Sequence, residues 1–187
     1  YLMYRSVYWH RGVRAPTAMV KKSVLLGLRE GVLRPEELYG LDDAGFFALL
    51  LSRDFPPLAL AEEVARGRPY SLALDIAYDP GDPRHRGLLD LEARLRLEEE
   101  LARRASAGPG PRLGPLDLVV DLPEPVSFES DLPVVGEGPL GCLPFSESST
   151  VFSPAVVSGF VRALRRVRVF VSRPSEALAE AAREALA

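Results

Sequence analysis

Four residues near the start of the chain could do chemistry together: Tyr1, Tyr4, Tyr8 and Arg11. On a helical wheel at about 100° per residue they share one face. Met3, Val7, His10 and Arg14 share the opposite one. Phenol rings beside a guanidinium suit the wall of a nucleotide pocket, with rings for sugar or base and a fixed cation for phosphate. The alternative is an amphipathic core helix whose tyrosine hydroxyls sit at the rim.

The elements that must position these residues are read in chain order. A first helix is expected from Leu2 to about Arg29, ended by Gly31. Pro16 should kink it or open a second helix, because proline lacks the N–H that would meet the carbonyl of Gly12. Arg34 to Gly40 reads as a short helical turn. Asp42 or Asp43 caps a strongly apolar helix to about Ser52, which is the ordinary use of an Asp-Asp doublet with no histidine nearby. Pro56-Pro57 opens another helix, ended by Gly67. Residues 1–67 are thus expected to be all helical.

Periodicity changes at Arg68. Tyr70, Leu72, Leu74, Ile76 and Tyr78 alternate and should line one face of a half-buried strand. Asp79-Pro-Gly-Asp-Pro is a turn, and His85 is expected in a solvated loop. A helix from Gly87 to about Ala107 follows. Leu88, Leu91 and Leu95 form its apolar stripe, and its Glu/Arg pairs at i, i+4 form a solvated face. Leu116–Leu122 is a second strand. Leu132–Val135 and Leu140–Leu143 form a hairpin, and Ser153-Pro154 opens a helix to about Arg165. Val167–Val171 is the last strand and Pro174–Ala187 the last helix. Arg162, Arg165, Arg166 and Arg168 cluster at that final junction. The fold class is α+β: a helical segment over 1–67, then a ferredoxin-like βαββαβ domain with an extra C-terminal helix over 68–187.

Composition sets outer bounds. The chain has 187 residues, 47% hydrophobic and 26% charged, with net charge −3. These are ordinary globular values, and the charge gives no broad drive toward nucleic acid. A single cysteine, Cys142, rules out an internal disulfide and suits a reducing compartment, hence the cytoplasm. No apolar run reaches the roughly 20 residues of a membrane span. There is no Asn or Gln, and prolines are many, which suits a protein that works hot, although a GC-rich genome gives the same bias.

Tyr-x-Met-Tyr-x-x-Val-Tyr-Trp-His-Arg-x-Val-Arg-Ala over residues 1–15 resembles the helix after the metal site in HD-domain metal-dependent phosphohydrolases. The match is closest to the branch related to deoxynucleoside triphosphate triphosphohydrolases. Leu41-Asp-Asp, Arg66-Gly-Arg-Pro-Tyr-Ser, Val126–Val134 and Ser146-Glu-Ser-Ser resemble later pieces of the same family in the same order. The resemblance implies that Tyr8 packs against a substrate sugar and that Tyr4 faces the same pocket; the wheel sets Arg11 beside them. The wheel also puts His10 and Arg14 on the opposite wall, which the resemblance makes a subunit contact or a second nucleotide site; a buried structural histidine is the alternative for His10. The resemblance further implies a nucleotide or phosphate-ester substrate, a homo-oligomer and a divalent metal. The family's metal site uses a His, a His-Asp doublet and a later Asp. Here the only histidines are His10 and His85, with no such doublet. No metal ligand is therefore expected in this chain, which reads as the C-terminal portion of a larger enzyme. A second reading is a regulatory or assembly module whose arginine cluster binds an anionic effector or another subunit.

Overall fold

A computed structural model describes residues 3, 7–107, 110, 112–124, 133–135, 141–144, 159 and 164–187. Helix α1 spans Arg11–Arg29 and buries Ala15, Ala18, Met19, Lys22, Ser23, Leu26 and Gly27 along one stripe. Its start and its course both differ from expectation. The chain is extended at His10, with ψ 138°, and the His10 side chain accepts a hydrogen bond from the Gly12 N–H. Residues 1–14 therefore do not form one helix. The break falls at this cap and not at Pro16, which lies inside α1. Pro16 is the sixth residue of α1, so the helix runs on past it with the Gly12 carbonyl lacking its intrahelical donor.

Gly31, at φ 69°, turns the chain after α1, as expected. Val32 and Leu33 then fold back, both N–H groups donating to the carbonyl of Gly27. A Cβ at Gly27 would lie 2.7 Å from a Leu33 methyl, so this helical glycine exists for close approach. After a short 3-10 turn over Pro35–Leu38, α2 (Asp43–Leu51) is capped by Asp42, whose Oδ1 accepts from Gly45 N at 2.8 Å. A 3-10 turn at Pro56–Leu58 leads into α3, Ala59–Ala65. Leu33, Leu50, Leu58 and Ala61 make the small core of this helical part, with Phe46, Phe47 and Val24 against it.

The sheet contains β1 (Ser71–Ala77), β2 (Leu118–Asp121) and β5 (Arg166–Val171), in the order β1-β5-β2 and antiparallel throughout. Between the first two strands lie α4 (Pro83–Gly87) and α5 (Leu91–Ala105). Strands β3 (Pro133–Val135) and β4 (Cys142–Pro144) pair with each other as the expected hairpin. The final helix, α6, is Glu176–Leu186, capped by Ser175. The expected helix from Ser153 lies mostly outside the described residues.

The α+β class holds, and so does the element order among the described residues. The finer plan does not. A ferredoxin-like unit would place the hairpin strands in the main sheet, whereas among the described residues that sheet has three strands and the hairpin is a sheet of its own. The central place is taken by β5, whose Val167, Val169 and Val171 are buried on one face and whose Arg168 and Phe170 are buried on the other; a run buried on both sides suits the middle of a sheet.

The main core lies on one side of the sheet. Leu74, Leu118, Val120, Val167, Val169 and Val171 meet Leu101, Ala102 and Ala105 of α5 and Leu178, Ala182 and Leu186 of α6. On the other side Val119 meets Ala18 and Met19 of α1 and Leu60 of α3. Strand β1 serves both sides. Its register shifts between Leu72, opposite Phe170, and Leu74, opposite Val169. A bulge there moves the strand's apolar set from one face to the other. Leu74 and Tyr78 join the main core, while Tyr70 packs with Met19, so the expected single face of five residues is divided in two.

His85 is also placed differently. It is not a solvated loop residue but is 5% exposed in α4. Its Nδ1 accepts from the Asp79 N–H at 2.9 Å, and its Nε2 lies 2.8 Å from the carbonyl of Leu186. Since Nδ1 is an acceptor, the proton sits on Nε2 and is donated to Leu186. The ring stacks on Tyr78.

Candidate functional site

The candidate contacts sit at the N-terminal end of α1. Tyr8 is 53% exposed, and Val7 and Val13 are also open to solvent, while Trp9 is buried. Tyr4 lies outside the described residues. Because the chain is extended at His10, Tyr8 and Arg11 flank a helix start and do not share one helical face. Arg11 is exposed in the first turn, and that turn holds no acidic residue. A cation there opposes the helix dipole, which favours negative charge at this end. His10 is exposed and its Nδ1, 3.2 Å from Gly12 N, caps the helix. The end of α1 thus offers an exposed phenol and an exposed guanidinium within one turn, while His10 takes the N–H groups of Gly12 and Val13.

Arg14 is placed differently from its neighbours. Its Nε and Nη2 meet Oδ2 and Oδ1 of Asp121 on β2 at 2.9 and 2.5 Å. Lys21 pairs with Glu124. One position on, Lys22 is buried, with Nζ 2.7 Å from Oε2 of Glu98 on α5. That approach is off hydrogen-bond direction, so charge holds it. The same Nζ donates to the carbonyls of Pro115 and Leu118 at 2.6 and 3.0 Å, and Oε1 of Glu98 accepts from Val120 N at 2.7 Å. Burial pushes the Glu98 carboxyl above the usual range, with Lys22, the Val120 N–H and Arg94 pulling against it. Glu98, which belongs to none of the i, i+4 pairs expected on the solvated face of α5, is therefore an interior charge.

Sequence reading missed Asp121 and Glu98, although a signal was present. Lys22 falls in the same stripe as Ala15, Ala18, Met19 and Leu26, and Glu98 in that of Leu91, Leu101 and Ala102. A charge in an apolar stripe needs a buried partner of opposite sign.

The arginine cluster is largely spoken for. Arg166 and Arg168 pair with Asp75, and Arg165 donates to the carbonyl of Pro123 and lies over the Tyr78 ring. Burial lowers the Arg165 pKa. Arg162 lies outside the described residues. At the far end of α1 a cleft of about 400 Å³ is lined by Leu26, Phe55, Leu95 and Leu116, with Arg29 and Glu92 paired at its rim. Among the described residues no group of three or more His, Cys, Asp or Glu could hold a metal ion, and no helix is long and apolar enough to cross a membrane.

Fold and site together define an α+β region whose first long helix begins beside the exposed Tyr8 and Arg11. The chain belongs to the HD-associated region family, whose model matches residues 1–173. This ties it to HD-domain proteins. No curated protein and no solved structure matches it.

Proposed function

We propose that this chain is the accessory C-terminal portion of a metal-dependent HD phosphohydrolase that acts on nucleotides or related phosphate esters. Membership of the HD-associated family carries this reading, and the exposure of Tyr8 and Arg11 at the start of α1 supports it. Tyr8, with Tyr4, packs against the substrate sugar, and Arg11 meets phosphate. His10 sets the start of the helix. Arg14, held by Asp121, anchors this wall to the sheet in place of facing a second nucleotide. The resemblance in residues 1–15 favours the triphosphohydrolase-like branch, a cytoplasmic enzyme and a homo-oligomer. Divalent metal would supply the hydroxide nucleophile in the parent enzyme. The described residues do not assemble a ligand set for it, so no step is assigned to metal here.

The test is Tyr8→Ala in the full-length enzyme. Turnover of deoxynucleotides should fall at least tenfold while bound metal stays constant. Unchanged turnover removes Tyr8 from the site.

A further inference from the structure

An antiparallel sheet leaves two edges, and among the described residues the β1-β5-β2 order makes β2 one of them. Val119 and Asp121 flank Val120 on this strand, and β5 is their partner along its inner side. The outer side carries the Leu118 carbonyl and the Val120 N–H. An edge normally gives such groups to water or to another strand. Here neither is needed, because Lys22 donates to Leu118 and Glu98 accepts from Val120.

The two side chains come from helices on opposite layers. Helix α1 packs on the Val119 side of the sheet and α5 on the Val120 side. They meet around the strand edge, each about 95% buried. A buried ion pair is a poor stabiliser compared with apolar groups of the same volume. Apolar groups, however, cannot supply a donor and an acceptor to backbone that lies in the interior.

We infer that Lys22 and Glu98 are positioning residues that stand in for a fourth strand at the β2 edge, and so fix where α1 sits on the sheet. The fixing is to backbone atoms, so it specifies position along the strand and not merely contact. Asp121 next to Val120 holds Arg14 two turns earlier on α1, and the two anchors together set the helix direction. The charged groups around the clasp are Lys21 of α1, Arg94 of α5 and Asp121 of β2. The role of the clasp in presenting Tyr8 and Arg11 rests on the phosphohydrolase reading; the clasp itself does not.

Amide exchange on the whole chain tests it, with Val120 read against the core amide of Val169. Glu98→Leu should lower Val120 protection at least 100-fold relative to Val169. Glu98→Gln keeps an acceptor and should hold Val120 within about tenfold of wild type. Equal protection of Val120 in wild type and Glu98→Leu overturns the inference. An equal drop at Val120 and Val169 overturns it too, since that is a global effect. A measurement without any variant covers failure to fold: a scalar coupling through the hydrogen bond from Val120 15N to Glu98 13Cδ is expected in wild type, and its absence sinks the proposal. If these results hold while Tyr8→Ala is silent in turnover, the clasp stands and the substrate-wall reading falls.

Discussion

Arg14 of α1 grips Asp121 of β2 through both carboxylate oxygens, across 107 positions of sequence. Their side chains are 12% and 4% exposed, so the pair is largely out of water. Breaking such a pair leaves one charge buried alone, which costs about 3–5 kcal/mol. Asp121→Ala should therefore destabilise by about 3 kcal/mol in urea unfolding. Arg14→Ala leaves the more deeply buried Asp121 without this partner and should cost at least as much. A double-mutant cycle on Arg14 and Asp121 should return a coupling above about 1 kcal/mol; additive losses would deny the pair an energetic role.

The Glu98 carboxyl gives a pH dependence whose sign is fixed by its environment. Its folded value is raised, chiefly by burial. The folded state thus binds the proton more tightly than the unfolded one. The stability this provides is complete below the unfolded value, near 4.5, and is lost as pH rises through the folded value. Relative to Glu98→Gln, which cannot titrate, wild type should lose stability as pH rises through that window. Urea midpoints of both proteins between pH 4 and 8 check this. A wild type that gains on the variant over the same range would show that Lys22 outweighs burial.

Gly27 is a helix-interior glycine with no positive φ, so propensity alone predicts that alanine would stabilise by about 1 kcal/mol. The Leu33 methyl 2.7 Å from the added Cβ predicts the reverse. Overpacking of this kind costs about 1–3 kcal/mol. Gly27→Ala should lower the melting temperature, and Leu33→Ala in the same background should recover part of the loss by making room.

His85 bridges the Asp79 amide and the Leu186 carbonyl. The neutral Nε2–H tautomer should therefore be the one seen in 15N spectra of the imidazole at neutral pH. His85→Phe keeps the stack on Tyr78 but removes both hydrogen bonds. It should cost about 2 kcal/mol and speed amide exchange in the last turn of α6, since each unmade buried bond costs about 1–3 kcal/mol.

Local signals were legible in the sequence where the chemistry is local. The Asp42 cap, the Gly31 stop, the Ser175 start of α6 and the β3–β4 hairpin all follow from neighbours a few residues apart. What failed was non-local. His10 is the local exception: its cap lies two residues from Gly12, yet the residue type alone does not separate a cap from a place on a helix face. The central place of β5 depends on which strands meet, and periodicity does not state partners. His85 sits between two arginines and reads as solvated until α6 arrives 101 residues later to receive its proton. Lys22 and Glu98 were visible as charges in apolar stripes, but only the fold joins them.

The bulge between Leu72 and Leu74 makes strand length a matter of inventory for two interiors at once. A regular ladder that kept Ala73 would carry Tyr70, four residues from Leu74, to the α5 and α6 side and withdraw the ring that packs against Met19 and Leu60. One extra residue in β1 is thus what lets this strand and the Tyr70 just before it floor one compartment while roofing another.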